Sequence, residues 1–140
     1  MIREYWAVLG IIILTLLYIL FNFIRVKKMD EGTDEMKEMA GIIRSGASMF
    51  LKTEFKTVTI VVLVLALVFS LFIESFSGLT FLLGACMSSA VCILGMRSAT
   101  YANVRTANKA RTSRSIGETV KVALCGGSIS GLSVQAFGML

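Results

Sequence analysis

The sequence contains no histidine and no proline, and only 16% of its 140 residues are charged. Soluble domains usually carry about 25% charged residues. The zero histidine count excludes His general bases, Ser-His and Cys-His nucleophile pairs and most catalytic zinc sites. Cysteine is sparse: Cys86, Cys92 and Cys125 all lie in apolar segments, and none of their spacings makes a C-x-x-C metal or redox pattern. Such residues read as small packing groups. Glycine-rich phosphate loops are missing too. Gly126-Gly127-Ser128-Ile129-Ser130-Gly131 falls in an apolar run and lacks the lysine of G-x-x-x-x-G-K. A soluble enzyme, a disordered chain and a disulfide scaffold are thereby excluded.

What the chain has in abundance is apolar surface: 56% hydrophobic residues and a mean hydropathy of +0.80. Charge is absent from residues 5–24, 57–73, 75–96 and 122–140. A helix rising about 1.5 Å per residue needs roughly 20 residues to cross about 30 Å of hydrocarbon. All four runs meet that length, the second by borrowing a turn from its flank. Barrel strands would alternate in hydropathy, and these runs do not. The fold class expected is all-α: a multi-span transmembrane bundle of four membrane helices with cytoplasmic helix extensions. The helices are placed at about 5–25, 34–74, 76–110 and 117–140, within one region covering 1–140. The first reads as an uncleaved signal-anchor, since it is long and lacks a small-residue cleavage site. The chain ends at Phe137-Gly138-Met139-Leu140 inside an apolar run, and the expectation is a truncated piece of a larger protein.

Basic residues set the expected orientation. Arg25, Lys27, Lys28, Lys37, Arg44, Lys52 and Lys56 fill the first connection. Arg97, Arg105, Lys109, Arg111, Arg114 and Lys121 fill the third, and the short connection after the second helix has none. The positive-inside rule puts connections 25–56 and 97–121 in the cytoplasm and the N-terminus outside. The first connection is no loose linker. Thr33 is an expected N-cap, with Asp34 and Glu35 in the first turn. Met36, Met39, Ala40, Ile43, Ala47, Phe50 and Leu51 then recur at helical steps. One long helix is expected from about Asp34 to Ile73. Gly84, Ser88, Cys92, Gly95, Ala99 and Ala102 form a small-residue stripe on the third helix, suited to close backbone approach; Gly126, Gly127, Gly131 and Gly138 repeat the theme on the fourth.

Three groups of residues bear on chemistry. The carboxylates Asp30, Glu31, Asp34, Glu35 and Glu38 can share a face and hold Mg²⁺ through its waters, but a solvated helix start is the simpler account. The cations Arg105, Lys109, Arg111 and Arg114 can attract anionic lipid, but they also serve as topology determinants. The membrane runs contain no Asp, Glu, Lys, Arg or His; Asn22, Thr15, Ser70 and Gln135 are their strongest polar groups, and Glu54 and Glu74 flank the second helix at its ends. Ion and proton paths are usually marked by ionisable groups at that depth. No proton relay is visible.

The stretch Gly95-Met96-Arg97-Ser98-Ala99-Thr100-Tyr101-Ala102-Asn103-Val104-Arg105-Thr106-Ala107-Asn108-Lys109-Ala110 resembles the membrane-bound, ion-translocating inorganic pyrophosphatases, whose pattern is G-M-x-x-A-x-x-A-N-x-R-T-A-x-x-A. Gly32-Thr33-Asp34-Glu35-Met36, Ile43-Arg44-Ser45-Gly46-Ala47, Phe50-Leu51, Glu54-Phe55-Lys56 and Gly126-Gly127 with Gly131-Leu132 match as well. The resemblance covers the whole chain. It implies homodimers of many-helix subunits that hydrolyse Mg²⁺-bound pyrophosphate on the cytoplasmic side and pump H⁺ or Na⁺ outward. The cofactor implied is Mg²⁺, with K⁺ a further candidate; the partners implied are pyrophosphate, the lipid bilayer and a second subunit, and no nucleic acid. The family's catalytic signature, D-x-x-x-K-x-x-x-x-D, does not occur here. The expectation is therefore no catalytic, cofactor-binding or metal-binding residue in this chain, which forms outer-ring scaffold of the N-terminal region and is inactive alone. Two alternatives stand beside it: a small four-helix structural or assembly membrane protein, and a lipid-binding adaptor using Arg105, Lys109, Arg111 and Arg114.

Overall fold

The computed structural model describes residues 2–73, 75–113 and 115–139. Glu74, Arg114 and Leu140 lie outside the described residues, as does Met1. Four helices account for nearly all of the described chain: α1 (Ile2–Lys28), α2 (Asp34–Phe72), α3 (Ser75–Ser113) and α4 (Ile116–Gly138). No strand occurs among the described residues. All four are long and apolar enough to cross a membrane.

Helices α2 and α3 have 39 residues each, which is about 58 Å at 1.5 Å per residue. That is nearly twice the hydrocarbon thickness of about 30 Å. Their uncharged halves lie toward the end of α2 at Phe72 and the start of α3 at Ser75, and their charged halves extend well beyond the apolar layer. α1 runs to Lys28 and α3 to Ser113, each three residues past its expected end. Charge stops a membrane span but not a helix, because the backbone bonds continue wherever water is available.

Helix starts follow local chemistry. Thr33 caps α2 from an extended conformation, its side chain accepting from the Met36 amide. Before it, Gly32 has φ 94°, a left-handed conformation that glycine adopts without strain. A Cβ there would fall 2.8 Å from both Asn108 Oδ1 and the Met36 sulfur. The glycine therefore serves the turn and the close approach of α3 together.

The helices pack in the order α2, α3, α4, α1, with a smaller contact between α1 and α3. Among the described residues α1 and α2 do not pack on each other. The core is small: Ile19 and Val26 of α1, Ala102 of α3 and Ile129 of α4, with Leu16, Phe23, Cys125 and Leu132 against it. On α4, Val122, Gly126, Ile129, Ser133 and Ala136 are buried at alternating four- and three-residue steps, the inward stripe of an amphipathic helix. Elsewhere large apolar side chains face outward, Leu14, Phe21, Leu67 and Leu71 among them. A bilayer or further helices can receive such surface; water would not.

Three further glycines, all within helices, mediate close approach. A Cβ on Gly126 would collide with Ala102 of α3, one on Gly95 would lie 2.8 Å from Ser130 Oγ, and one on Gly78 would lie 2.6 Å from the Ala66 carbonyl oxygen. Ser98 Oγ donates to the Gly126 carbonyl at 2.9 Å, fixing the α3–α4 crossing. The expected roles of Gly84, Gly127, Gly131 and Gly138 need correction: a Cβ at any of them meets nothing within 4 Å. Small size permits close packing only where a neighbour lies on that face, and these glycines face away from the contacts within this chain.

Candidate functional site

The most organised polar structure lies where α1 ends, the 29–33 turn begins, and α3 passes beneath. The last carbonyls of any α-helix lack intrahelical donors, and they carry the negative end of the helix dipole. Here Arg105 of α3 supplies both donors and charge. Its Nη2 donates to the Lys27 carbonyl at 2.8 Å and its Nε to the Met29 carbonyl at 3.0 Å. Nη1 donates to the Tyr101 carbonyl of its own helix at 2.8 Å. Nη2 also forms an ion pair with Glu31 Oε1 at 2.8 Å. The side chain is only 4% exposed, which such a charge tolerates because it is paired and hydrogen-bonded. A planar guanidinium can make this set of contacts; an ammonium cannot.

Arg44 of α2 closes the other side. Its Nη2 donates to the same Glu31 Oε1 at 2.6 Å, and its guanidinium stacks 4.3 Å from the Tyr101 ring centroid. Phe23 of α1 meets that ring edge-on, centroids 6.0 Å apart. One carboxylate is thus shared by two guanidiniums from different helices. The Arg44 hydrogen bond, followed by the nearby charges of Arg105 and Arg44, holds the Glu31 carboxyl below its usual range. Asp30 is also lowered, first by the Gly32 amide and then by Asn108. Asn108 Nδ2 donates to the Asp30 carbonyl at 3.2 Å, and Arg111 Nη2 donates to Asn108 Oδ1 at 3.1 Å.

This geometry separates the members of each of the two charged groups. The carboxylates do not converge. Asp30 and Glu31 are held by the network, Asp34 pairs with Lys37 at 2.9 Å, and Glu35 and Glu38 are exposed. No group of three His, Cys, Asp or Glu able to hold a metal occurs among the described residues. The basic cluster is likewise divided. Arg105 points inward, Lys109 approaches Glu118 at 3.8 Å, Arg111 is bound to Asn108, and Arg114 lies outside the described residues. The lipid-adaptor reading built on those four residues loses its central member, since a buried guanidinium with four partners cannot reach a headgroup. The arrangement can latch three segments together.

The latch was readable in part. Continuing the α3 stripe past Ala102 by helical steps reaches Arg105 and Asn108, which puts both on the packed face. Counting Arg105 among topology cations hid that phase. Arg44 gave no comparable signal, because its partners are 13 residues away and across the bundle.

Comparison with known proteins agrees with this motif. The family model for inorganic H⁺ pyrophosphatase matches residues 13–140. A K⁺-stimulated pyrophosphate-energized sodium pump of Thermotoga maritima is 48% identical over 119 residues, covering 85% of this chain and 16% of the relative. A putative pump of the same description from Clostridium tetani is 37% identical, covering 91% of this chain and 18% of the relative. A K⁺-insensitive pyrophosphate-energized proton pump of Moorella thermoacetica is 35% identical, covering 91% and 19%. The chain thus spans less than a fifth of the length of these relatives. The match over 13–140, which takes in the second half of α1, all of α2, α3 and α4 and every residue of the latch, shows that this chain belongs to the inorganic H⁺ pyrophosphatase family.

Proposed function

We propose that this chain is the N-terminal scaffold of a pump that couples hydrolysis of Mg²⁺-bound pyrophosphate to outward transport of Na⁺ or H⁺. The observation that carries the proposal is the family match over residues 13–140, with relatives described as pyrophosphate-energized sodium and proton pumps. The chain's own part is structural. Its uncharged runs hold no Asp, Glu, Lys, Arg or His to carry an ion. The family's D-x-x-x-K-x-x-x-x-D signature does not occur in this sequence, and we assign Mg²⁺ and pyrophosphate to segments outside this chain. No residue here is assigned to catalysis, and the chain alone is inactive. The polar ends of α2 and α3, with the latch, face the cytoplasm, the N-terminus lies outside, and the pump works as a homodimer.

Membranes containing the full-length product test this reading. Pyrophosphate hydrolysis that requires Mg²⁺ and drives Na⁺ or H⁺ uptake into inverted vesicles is the expected result. Assays with and without Na⁺ and K⁺ identify the cargo and the K⁺ requirement. Absence of pyrophosphate hydrolysis in well-assembled protein would return the chain to the structural-protein alternative. Orientation is checked with an impermeant thiol reagent on protein in which Cys86, Cys92 and Cys125 are replaced. Lys28→Cys reacts from the cytoplasmic side and Ile73→Cys from the outer side.

A further inference from the structure

The gap between α1 and α2 is floored by α3 and forms a cleft of about 590 Å³ at the basic end of the bundle. Lys27 of α1, Arg44 and Lys52 of α2 and Arg97 of α3 line it, and no carboxylate does. Lys27, Lys52 and Arg97 are exposed and make no ion pair among the described residues. Arg44 is only partly neutralised, because Glu31 is shared with Arg105. Its Nε is buried and has no hydrogen-bond partner, a donor that costs free energy until an acceptor reaches it. The uncharged lining is mostly apolar, with Phe23, Leu51, Phe55 and Met96, beside the hydroxyls of Ser48, Thr100 and Tyr101.

Depth identifies the kind of ligand. Lys27, Lys52 and Arg97 stand just outside the uncharged runs 5–24, 57–73 and 75–96. Each lies within five residues of the apolar boundary, roughly 8 Å at 1.5 Å per residue. That is headgroup level. On the apolar side of Phe55 a second groove of about 580 Å³ continues between α2 and α3, lined by Phe55, Val58, Val62, Phe81, Gly84 and Ser88. Phe55 lines both spaces. A cationic cleft thus adjoins an apolar groove on its membrane side, with Phe55 common to both.

We propose that this cleft binds an anionic diacyl phospholipid. The phosphate sits among Lys27, Arg44, Lys52 and Arg97, and one acyl chain lies in the α2–α3 groove. Charge complementarity selects the headgroup: cations near an anionic membrane surface each add about a fivefold preference (~1 kcal/mol per Lys or Arg). The apolar groove selects a lipid over a soluble phosphate. The lipid would join α1 to α2, which this chain leaves unpacked.

The test uses the full-length protein, purified in detergent and offered dioleoyl phosphatidylglycerol or dioleoyl phosphatidylcholine at equal concentration. Bound lipid is counted by native mass spectrometry. The wild type retains phosphatidylglycerol over phosphatidylcholine by about tenfold or more, and Lys52→Gln/Arg97→Gln brings the two within about twofold. Gly84→Phe, which fills the groove and leaves the cations intact, lowers phosphatidylglycerol retention as well. Millimolar inorganic pyrophosphate leaves the bound lipid in place. Equal retention of both lipids by the wild type overturns the proposal; it is the result if another helix of the longer chain fills the cleft. Displacement by pyrophosphate overturns it in favour of a soluble phosphate ligand. Because the wild-type comparison needs no substitution, a variant that misfolds does not remove the test.

Discussion

Arg105 sits where a helix ends on unpaired carbonyls and where the chain must turn back, and one guanidinium meets both needs. Arg105→Ala leaves the Lys27 and Met29 carbonyls without these donors and Glu31 with one cation in place of two. The expected loss is about 3 kcal/mol, read as a lower melting temperature of the solubilised protein. Arg105→Lys keeps the charge but not the fork, and recovers less than half of that loss. Glu31 makes the latch acid-sensitive. Its folded-state carboxyl is held below the usual value of 4.5. The stabilisation is therefore present above the unfolded pKa and disappears as pH falls through the lowered one. Melting temperatures measured between about pH 5 and 3 should fall, and Glu31→Gln should flatten part of that fall while lowering stability at pH 7.

At the scale of elements, α3 is the central member because it packs on α2 and α4 and touches α1. Its crossing with α4 depends on Gly126 more than on the stripe as a whole. Gly126→Ala forces a methyl into Ala102 of α3, and overpacking of this kind costs about 1–3 kcal/mol. Gly84→Ala meets open space. Alanine there should be neutral or stabilising by up to about 1 kcal/mol, since it restricts the unfolded chain and favours the helix. Thermal melts of the two variants side by side separate a packing glycine from a merely small one; equal losses would mean that the α3–α4 crossing is misassigned. The α2–α3 hairpin has its own contact at Gly78 against the Ala66 carbonyl, supported by Phe69 and Phe81 edge to face at 5.1 Å. Gly78 stands outside the recognised stripe, and only the partner helix shows its use.

For the whole molecule, the imbalance between outer and inner surface is the main physical fact. The most apolar stretch of α2 has 6% of its residues buried within this chain, and that of α3 has none. Four helices with so little mutual burial are held in shape by membrane and by neighbours as much as by one another. Hydrogen exchange on the full-length protein in nanodiscs should accordingly show strong protection across 57–73 and 75–96, where lipid excludes water. Protection over 34–50 should be weaker, since that half of α2 stands free of the apolar layer. Uniform protection from 34 to 73 would show that other parts of the protein cover the extension.

How far each level was legible depended on the range of the forces involved. Helix number, type and approximate span followed from local composition. In hydrocarbon every backbone group must bond within its own helix, so a long uncharged run has one outcome. The cap at Thr33 and the family pattern around Asn103-Val104-Arg105-Thr106-Ala107 are local as well, and both could be read directly. Which glycines touch, which cations pair and which acids are already held are contacts between residues far apart in sequence. Arg105 reaches Lys27 across 78 positions, and no periodicity records that distance. Sequence alone determined that these helices belong in a membrane, because burial in lipid is a property of each run by itself. Only tertiary structure decided that the arginine of the motif faces inward while Lys27, Lys52 and Arg97 remain open, because a charge is buried or free according to what lies opposite it.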